Sequence, residues 1–315
     1  MFDACQQRCA VLLDVCRVKR HVGLTLRLLI LLPLMSTVSF AEPNQTPPEL
    51  VPAVDAVYEV AEHAMNVGRR HYRIYSAVPL TAKNNVRPVL YMLDGNGQFP
   101  LAVNQATAQI APEKLPVIIG IGYPSSKAYP TLERKFDYTP AVMGDEFNQG
   151  GGAASFLRFI QTTLKPWAEQ RFPIDITQQT LFGHSFGGLF VLMVLQESPL
   201  TFQRYVAASP ALWWGRGEMI EPAKIVAAAR LASVTITLGE REEKPLIQFM
   251  SDKQRVHYQT RSSWISARRV CSLMALSTPS PCRFLLFADK SHGSVIPDAI
   301  ATAITVTQQS RSLSK

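Results

Sequence analysis

Between residues 70 and 310, short runs of unbroken apolar residues alternate with stretches whose apolar positions recur every three or four residues. Pro88-Val89-Leu90-Tyr91-Met92-Leu93 and Leu115-Pro116-Val117-Ile118-Ile119-Gly120-Ile121-Gly122-Tyr123 are continuous apolar runs bounded by turn residues. Runs of this kind predict strands covered on both faces of a sheet. His71 to Pro79 alternates instead and predicts a half-exposed strand, with a short alternating piece near Val57 to Val60 as its pairing candidate. Further strands are expected at Thr180 to Gly183, Tyr205 to Pro210, Val234 to Gly239 and Arg283 to Ala288. Helical spacing appears over Phe156 to Phe172, from about Phe186 to Leu195, and from about Val295 to Gln308. Strands alternating with helices predict one α/β domain, with a mostly parallel central sheet and helices on both faces. That domain is placed at residues 56–315. Residues 42–55, rich in proline and polar residues, are expected to be a flexible lead-in. Asp137 to Gly152 is glycine-rich and loop-like, a candidate rim for a site.

The first 41 residues break this pattern. Arg17, Lys19, Arg20 and Arg27 precede the apolar core Leu28-Leu29-Ile30-Leu31-Leu32-Pro33-Leu34-Met35, and Ser36-Thr37-Val38-Ser39-Phe40-Ala41 ends in small residues. This is the layout of a secretory signal cleaved after Ala41, so a periplasmic or secreted protein is expected. An uncleaved segment holding the protein at the membrane is the alternative. The stretch before Val18 is long for a signal, which fits a start codon placed too early.

Removing that segment changes the charge reading. The full chain of 315 residues has 32 Lys/Arg and 24 Asp/Glu; the segment holds five and two of these, leaving 27 against 22. A balance of +5 with no basic cluster interleaved with aromatics argues against nucleic-acid binding. Of the five cysteines only Cys271 and Cys282 remain, either a disulfide around Ser277-Thr278-Pro279-Ser280-Pro281 or two free thiols. No Cys/His spacing suggests a metal, and no cofactor is expected.

The candidate chemistry centres on Gly183-His184-Ser185-Phe186-Gly187-Gly188, which joins an apolar run to a helical pattern. G-x-S-x-G at a strand-to-helix turn is a nucleophile elbow, with glycines where the sharp turn leaves no room for side chains. Open α/β sheets build sites beyond the carboxyl ends of their strands. Ser185 follows one such strand; Glu240, Glu242 and Glu243 follow another; His292 follows the last. Nucleophile, acid, base is the chain order of an α/β-hydrolase fold. His292 is the candidate base, and Glu242 the candidate acid with Glu240 as runner-up. His184, beside the serine, is expected to point away from it. Two backbone N–H groups would hold an oxyanion: Phe186, directly after the serine, and Asn96, in the turn Asp94-Gly95-Asn96 after a buried strand.

Several further segments carry a resemblance. Tyr72-Arg73-Ile74, Pro88 to Asn96, Ile119-Gly120-Ile121-Gly122-Tyr123-Pro124 and Arg134-Lys135-Phe136-Asp137-Tyr138-Thr139-Pro140 occur in order. Gly151-Gly152-Ala153, the elbow, Ala207 to Trp214 and His292 to Pro297 follow. Together they resemble the bacterial siderophore esterases, the enterobactin trilactone type within the esterase D superfamily, over nearly all of residues 70–310. The resemblance implies a serine esterase acting on a small-molecule ester, a catecholate siderophore in ferric form among the candidates. It implies catalytic roles for Ser185 and His292 and maps the acid onto the Gly-Glu-x-Glu segment. Arg134 is then a candidate for holding a catecholate or carboxylate, with a salt bridge to Asp137 as the alternative. Trp213 and Trp214 are candidate walls of the acyl pocket, with core packing as the alternative. Hydrolysis of carbohydrate or other small esters, acyl transfer, and ligand binding without turnover stay open, as does the oligomeric state.

Overall fold

The computed structural model describes residues 45–309, apart from 83, 84, 246, 262, 276–281 and the side chains of 249, 254 and 257. The expected signal segment and the Ser277 to Pro281 turn lie outside the described residues.

The sheet contains β1 (Tyr58–Val67), β2 (Arg70–Pro79), β3 (Arg87–Met92), β4 (Val117–Gly122), β5 (Ile174–His184), β6 (Arg204–Ala208), β7 (Ser233–Gly239) and β8 (Arg283–Phe287). Their spatial order is β1-β2-β4-β3-β5-β6-β7-β8. β1 and β2 pair antiparallel, β2 meets β4 antiparallel, and every pairing from β4 to β8 is parallel. The helices are α1 (Gly95–Gln109), α2 (Thr131–Tyr138), α3 (Ala153–Phe159), α4 (Lys165–Arg171), α5 (Phe186–Glu197), α6 (Pro222–Ala228), α7 (Glu240–Glu243), α8 (Asp252–Thr260), α9 (Ala267–Met274) and α10 (Ile296–Gln308).

The apolar runs are buried on both faces because their residues serve two cores. On β3 and β4, Val89, Tyr91, Val117, Ile119 and Ile121 face the core shared with α5. Leu90, Met92 and Ile118 face the core shared with α1 and α10. The helical stretch from Phe156 is α3, a π turn at Ile160–Leu164, and α4. Pro166 sits just past that turn and has no N–H to donate back along the helix, a common cause of such irregularity.

Two expectations change. The turn expected at Asp94-Gly95-Asn96 is the start of α1. Gly95, Gly97 and Pro100 are poor helix formers and disguise it in the sequence. The helix nonetheless begins because Asp94, at φ 53°, turns the chain sharply. Its carbonyl then accepts the N–H groups of Gly97 and Gln98. The lead-in expected to be flexible is fastened to the domain from Gln45 onward. Gln45 accepts the N–H groups of Ala128 and Tyr129, and Asn104 bonds both Glu49 O and Val51 N–H. Cys271 and Cys282 form a disulfide that ties α9 to the start of β8.

Candidate active site

The parallel register brings four strand ends to one edge. Gly183 and His184 of β5 stand beside Ala207 and Ala208 of β6, and Gly239 of β7 stands beside Phe287 of β8. The residues that follow, Ser185, Ser209, Glu240 to Glu243 and the loop after Phe287, therefore emerge on one edge of the sheet.

Ser185 has φ 61° and ψ −116°, a strained conformation for a residue with a side chain. Its neighbours hold it there: Ser185 N–H donates to Ala208 O at 2.9 Å, and Ser185 O accepts from both Leu189 and Ala211. The turn closes because Gly183 and Gly188 lack Cβ atoms. A Cβ on Gly183 would lie 2.4 Å from Gly187 O, and one on Gly188 would lie 2.7 Å from Ala208 O. Gly187 is less constrained, since its Cβ would meet the Leu93 side chain at 3.3 Å and Asp94 Oδ2 at 3.8 Å.

Ser185, His292 and Glu242 form a connected chain of hydrogen bonds. Ser185 Oγ lies 3.0 Å from His292 Nε2, and His292 Nδ1 lies 2.6 Å from Glu242 Oε2. The second carboxylate oxygen of Glu242 accepts from Ser209 Oγ at 2.7 Å and from Gly239 N–H at 2.9 Å. Burial pushes this carboxyl upward, but the hydrogen bond and charge of His292, with the Ser209 and Gly239 donors, hold it below the ordinary range. A carboxylate beside Nδ1 assigns the ring proton to that nitrogen and leaves Nε2 a lone pair facing the serine hydroxyl. The neighbouring glutamates are occupied elsewhere. Glu240 accepts from Asp289 N–H and pairs with Lys244, and Glu243 makes a bidentate pair with Arg268. The runner-up Glu240 is therefore not brought to the histidine.

The two candidate oxyanion donors begin helices. Phe186 is the first residue of α5 and Asn96 the second of α1, positions whose N–H groups have no partner within a helix. Asn96 is held by its side chain: Oδ1 accepts Tyr123 N–H at 2.8 Å, while Nδ2 donates to Tyr123 O at 2.9 Å and Ser125 O at 3.0 Å. Gly122 makes room for this, since a Cβ there would sit 2.3 Å from Asn96 Oδ1.

Arg134 makes a different salt bridge from the one expected. Its partner is Asp94 and not Asp137: Nε and Nη2 donate to the two Asp94 oxygens at 2.7 and 2.8 Å. Asp137 lies instead beside Arg70, at 3.8 Å. Burial opposes the Arg134 charge, and the Asp94 carboxylate outweighs it, raising the guanidinium above its usual range. Its bidentate edge thus braces the bend that starts α1, with Cζ 5.5 Å from the Phe186 ring centroid. The two tryptophans separate. Trp214 is fully buried and donates to Pro140 O, so it is a core residue and no pocket wall. Trp213 is half-buried, 5.4 Å from the Phe186 ring, with Arg261 Cζ 4.6 Å from its own. Ser209, which steadies the acid, and Asp94, which engages Arg134, are site residues that sequence reasoning missed. Ser209 directly follows a buried strand and Asp94 follows another with one residue between, the one signal that would have pointed to them.

Three further histidines among the described residues, His63, His71 and His184, have separate partners. His63 bonds Ser76 Oγ and His71 bonds Asn66 Oδ1. His184 bonds the main-chain carbonyl of His292 at 2.9 Å.

Comparison with known proteins agrees with this architecture. The model of the esterase family matches residues 65–268. The ferri-bacillibactin esterase BesA of Bacillus subtilis is 32% identical over 254 residues, which cover 75% of this chain and 84% of the relative. The siderophore enterobactin esterase of Emericella nidulans is 30% identical over 266 residues, covering 74% of this chain and 88% of the relative. The solved siderophore hydrolase EstA from Aspergillus nidulans aligns with a TM-score of 0.69 at 27% identity, over 81% of this chain and 95% of that one. A hydrolase-type sheet with a serine at its central elbow, together with relatives of this kind, shows that the chain belongs to the esterase family, among the siderophore esterases, and is an ester hydrolase of the α/β type.

Proposed function

We propose that this esterase cleaves the ester bonds of a catecholate siderophore through a seryl acyl-enzyme, with Ser185 as nucleophile, His292 as base and Glu242 as acid. The observation that carries the mechanism is the unbroken chain Ser185 Oγ, His292 Nε2, His292 Nδ1, Glu242 Oε2. His292 Nε2 takes the hydroxyl proton as Ser185 Oγ attacks the ester carbonyl. The Nδ1 proton stays on the imidazolium, stabilised by the carboxylate. The carbonyl oxygen becomes an anion facing the Phe186 and Asn96 N–H groups, each donor of this kind being worth about 3–4 kcal/mol in the transition state. Collapse expels the alcohol, which receives the proton from His292. Water then attacks the acyl-Ser185 ester by the same route, releasing the acid and the free serine.

The siderophore assignment is supported by relatives named for ferri-bacillibactin and enterobactin esters. Trp213, half-buried beside Phe186 with Arg261 over its ring, offers a flat cationic surface suited to an anionic aromatic acyl group. We place the enzyme outside the cytoplasm on the strength of the signal-like residues 1–41; cell fractionation tests that placement.

The decisive experiment compares the purified protein with Ser185→Ala on a short p-nitrophenyl ester and on a catecholate trilactone. Loss of both activities in the variant is expected, together with a fluorophosphonate adduct on Ser185 of the parent. An equally active variant would overturn the mechanism. Preference for feruloyl or acetyl sugar esters over the trilactone would overturn the substrate.

A further inference from the structure

We propose that His184, the variable residue of the elbow, is a positioning residue that locks the loop bearing His292 to the nucleophile through a hydrogen bond to the His292 main-chain carbonyl. This role rests on the reading of Ser185 and His292 as nucleophile and base.

The argument begins with the loop. Ala288 to Val295 joins β8 to α10. Its first half is tied to α7, where Lys290 O accepts Arg241 N–H and Asp289 N–H donates to Glu240, while most main-chain bonds of Ser291 to Val295 are its own. Ser291 N–H donates to Ser294 Oγ, Val295 N–H to Ser291 O, and Ile296 N–H to Gly293 O. Ser291, Gly293 and Ser294 lie toward solvent and the Gly293 Cα faces open space. Such internal bonds shape this second half of the loop, whose nearest anchors, Lys290 and Asp289, lie two and three residues before His292. Glu242 holds one edge of the imidazole, and a single hydrogen bond from a side chain is a hinge about which the ring can swing.

His184 supplies an attachment at the main chain of His292 itself. It is the last residue of β5, buried, and rigid because β5 is paired on both sides. Its Nε2 lies 2.9 Å from His292 O, and the two rings are 4.6 Å apart between centroids. A carbonyl only accepts, so Nε2 must carry the proton and His184 must be the donor. His184 is covalently joined to Ser185. One short rigid unit therefore sets the positions of the attacking oxygen and of the backbone that carries its base. The Ser185 Oγ to His292 Nε2 distance is fixed from both ends.

The ionisable groups facing His184 suit a neutral donor. They are His292 on the loop and Arg134 on α2, the latter paired with Asp94. Burial first, and then the charges of His292 and Arg134, hold His184 well below the ordinary histidine range. A neutral ring keeps the Nε2 donor across the working pH range and places no second positive charge beside the imidazolium that catalysis forms.

The test uses two variants of similar length and volume that differ in the donor. His184→Gln keeps an N–H near the Nε2 position, and His184→Met does not. On an ester that the parent hydrolyses, His184→Met should lose about tenfold or more in kcat with KM little changed, and His184→Gln should stay within about threefold of the parent. Equal losses in the two folded variants would show that packing alone matters and would overturn the proposal. A second reading needs no turnover. The downfield proton signal of His292 Nδ1–H, bonded to Glu242, should persist in His184→Gln and broaden or vanish in His184→Met; identical signals in both would overturn the proposal. In the unaltered protein, ¹⁵N shifts should report His184 as an Nε2–H tautomer that does not titrate between pH 5 and pH 9. An Nδ1–H tautomer would overturn the role even if neither variant folds. Activity surviving in Ser185→Ala would instead remove the mechanism on which the role depends, while leaving these spectra as they are.

Discussion

Glu242 and His292, fifty positions apart in the chain, meet with Oε2 2.6 Å from Nδ1. The same carboxylate is tied by its other oxygen to Ser209 after β6 and to Gly239 at the end of β7. The acid is thus immobilised by two neighbouring strand ends before it touches the histidine. A glutamate at this position needs such bracing, because its longer side chain has more rotamers to lose than an aspartate.

Glu242→Gln keeps the shape but lacks the charge that favours the imidazolium. It should lower kcat on a p-nitrophenyl ester by about 10²- to 10⁴-fold. Glu240→Gln, which removes the charge from a surface pair with Lys244 and can still accept from Asp289 N–H, should stay within about twofold. Steady-state kinetics on the two variants decide the matter, and the reverse ranking would move the acid to Glu240.

The three glycines of the elbow should not tolerate alanine equally. Gly183→Ala and Gly188→Ala bring Cβ within 2.4 and 2.7 Å of backbone oxygens, which cannot move without breaking the turn. Each should cost about 1–3 kcal/mol or more, read from urea denaturation. Gly187→Ala meets the end of a flexible Leu93 at 3.3 Å and should cost less than about 1 kcal/mol. A Gly187 variant less stable than the Gly188 variant would show that the turn is packed otherwise.

Removing one partner of a buried ion pair strands the other. Arg134→Met would leave Asp94 buried without its bidentate donor and should destabilise the fold by about 3–5 kcal/mol. Since Asp94 begins α1, kcat should fall as well, because Asn96 stands two residues further on. The double variant Arg134→Met with Asp94→Asn should recover part of the stability in thermal denaturation. No recovery would mean that Asp94 does not depend on Arg134 for its burial.

Asp137 offers a pH signature. Burial raises its carboxyl from 3.8 to about 6, with Arg70 only partly opposing the rise. Between these values the folded chain binds the proton more than the unfolded chain does. This group therefore makes stability fall as pH rises from about 4 to about 6 and stay level above that. At 1.36 kcal/mol per pKa unit the full effect is at most about 3 kcal/mol. Asp137→Asn should lack that slope. Parallel stability curves for parent and variant between pH 4 and pH 7 would refute the assignment.

Much of the framework is legible along the chain because it depends on neighbours in sequence. Unbroken apolar runs at 88–93 and 115–123 mark strands with a core on each side, and both are. The glycines around Ser185 mark the elbow because their necessity is steric and local. The chain order of serine, glutamate and histidine follows from which strands end beside which residues. The start of α1 was hidden by Gly95, Gly97 and Pro100, where the sharp bend at Asp94 outweighs poor local propensity.

What only the tertiary structure decided are the pairings. Glu240, Glu242 and Glu243 lie within one turn, and no local rule separates them. Sheet register and the neighbouring Ser209 direct Glu242 to the histidine and leave the others to Lys244 and Arg268. Arg134 is three residues from Asp137 in sequence yet pairs with Asp94, forty residues away. Trp213 and Trp214 are adjacent, but only Trp214 is fully enclosed. Strand periodicity and turn chemistry are properties of short segments, so the sequence alone determines them. The partner of a charge depends on which segments the fold makes adjacent, and that is set only when the sheet closes its register.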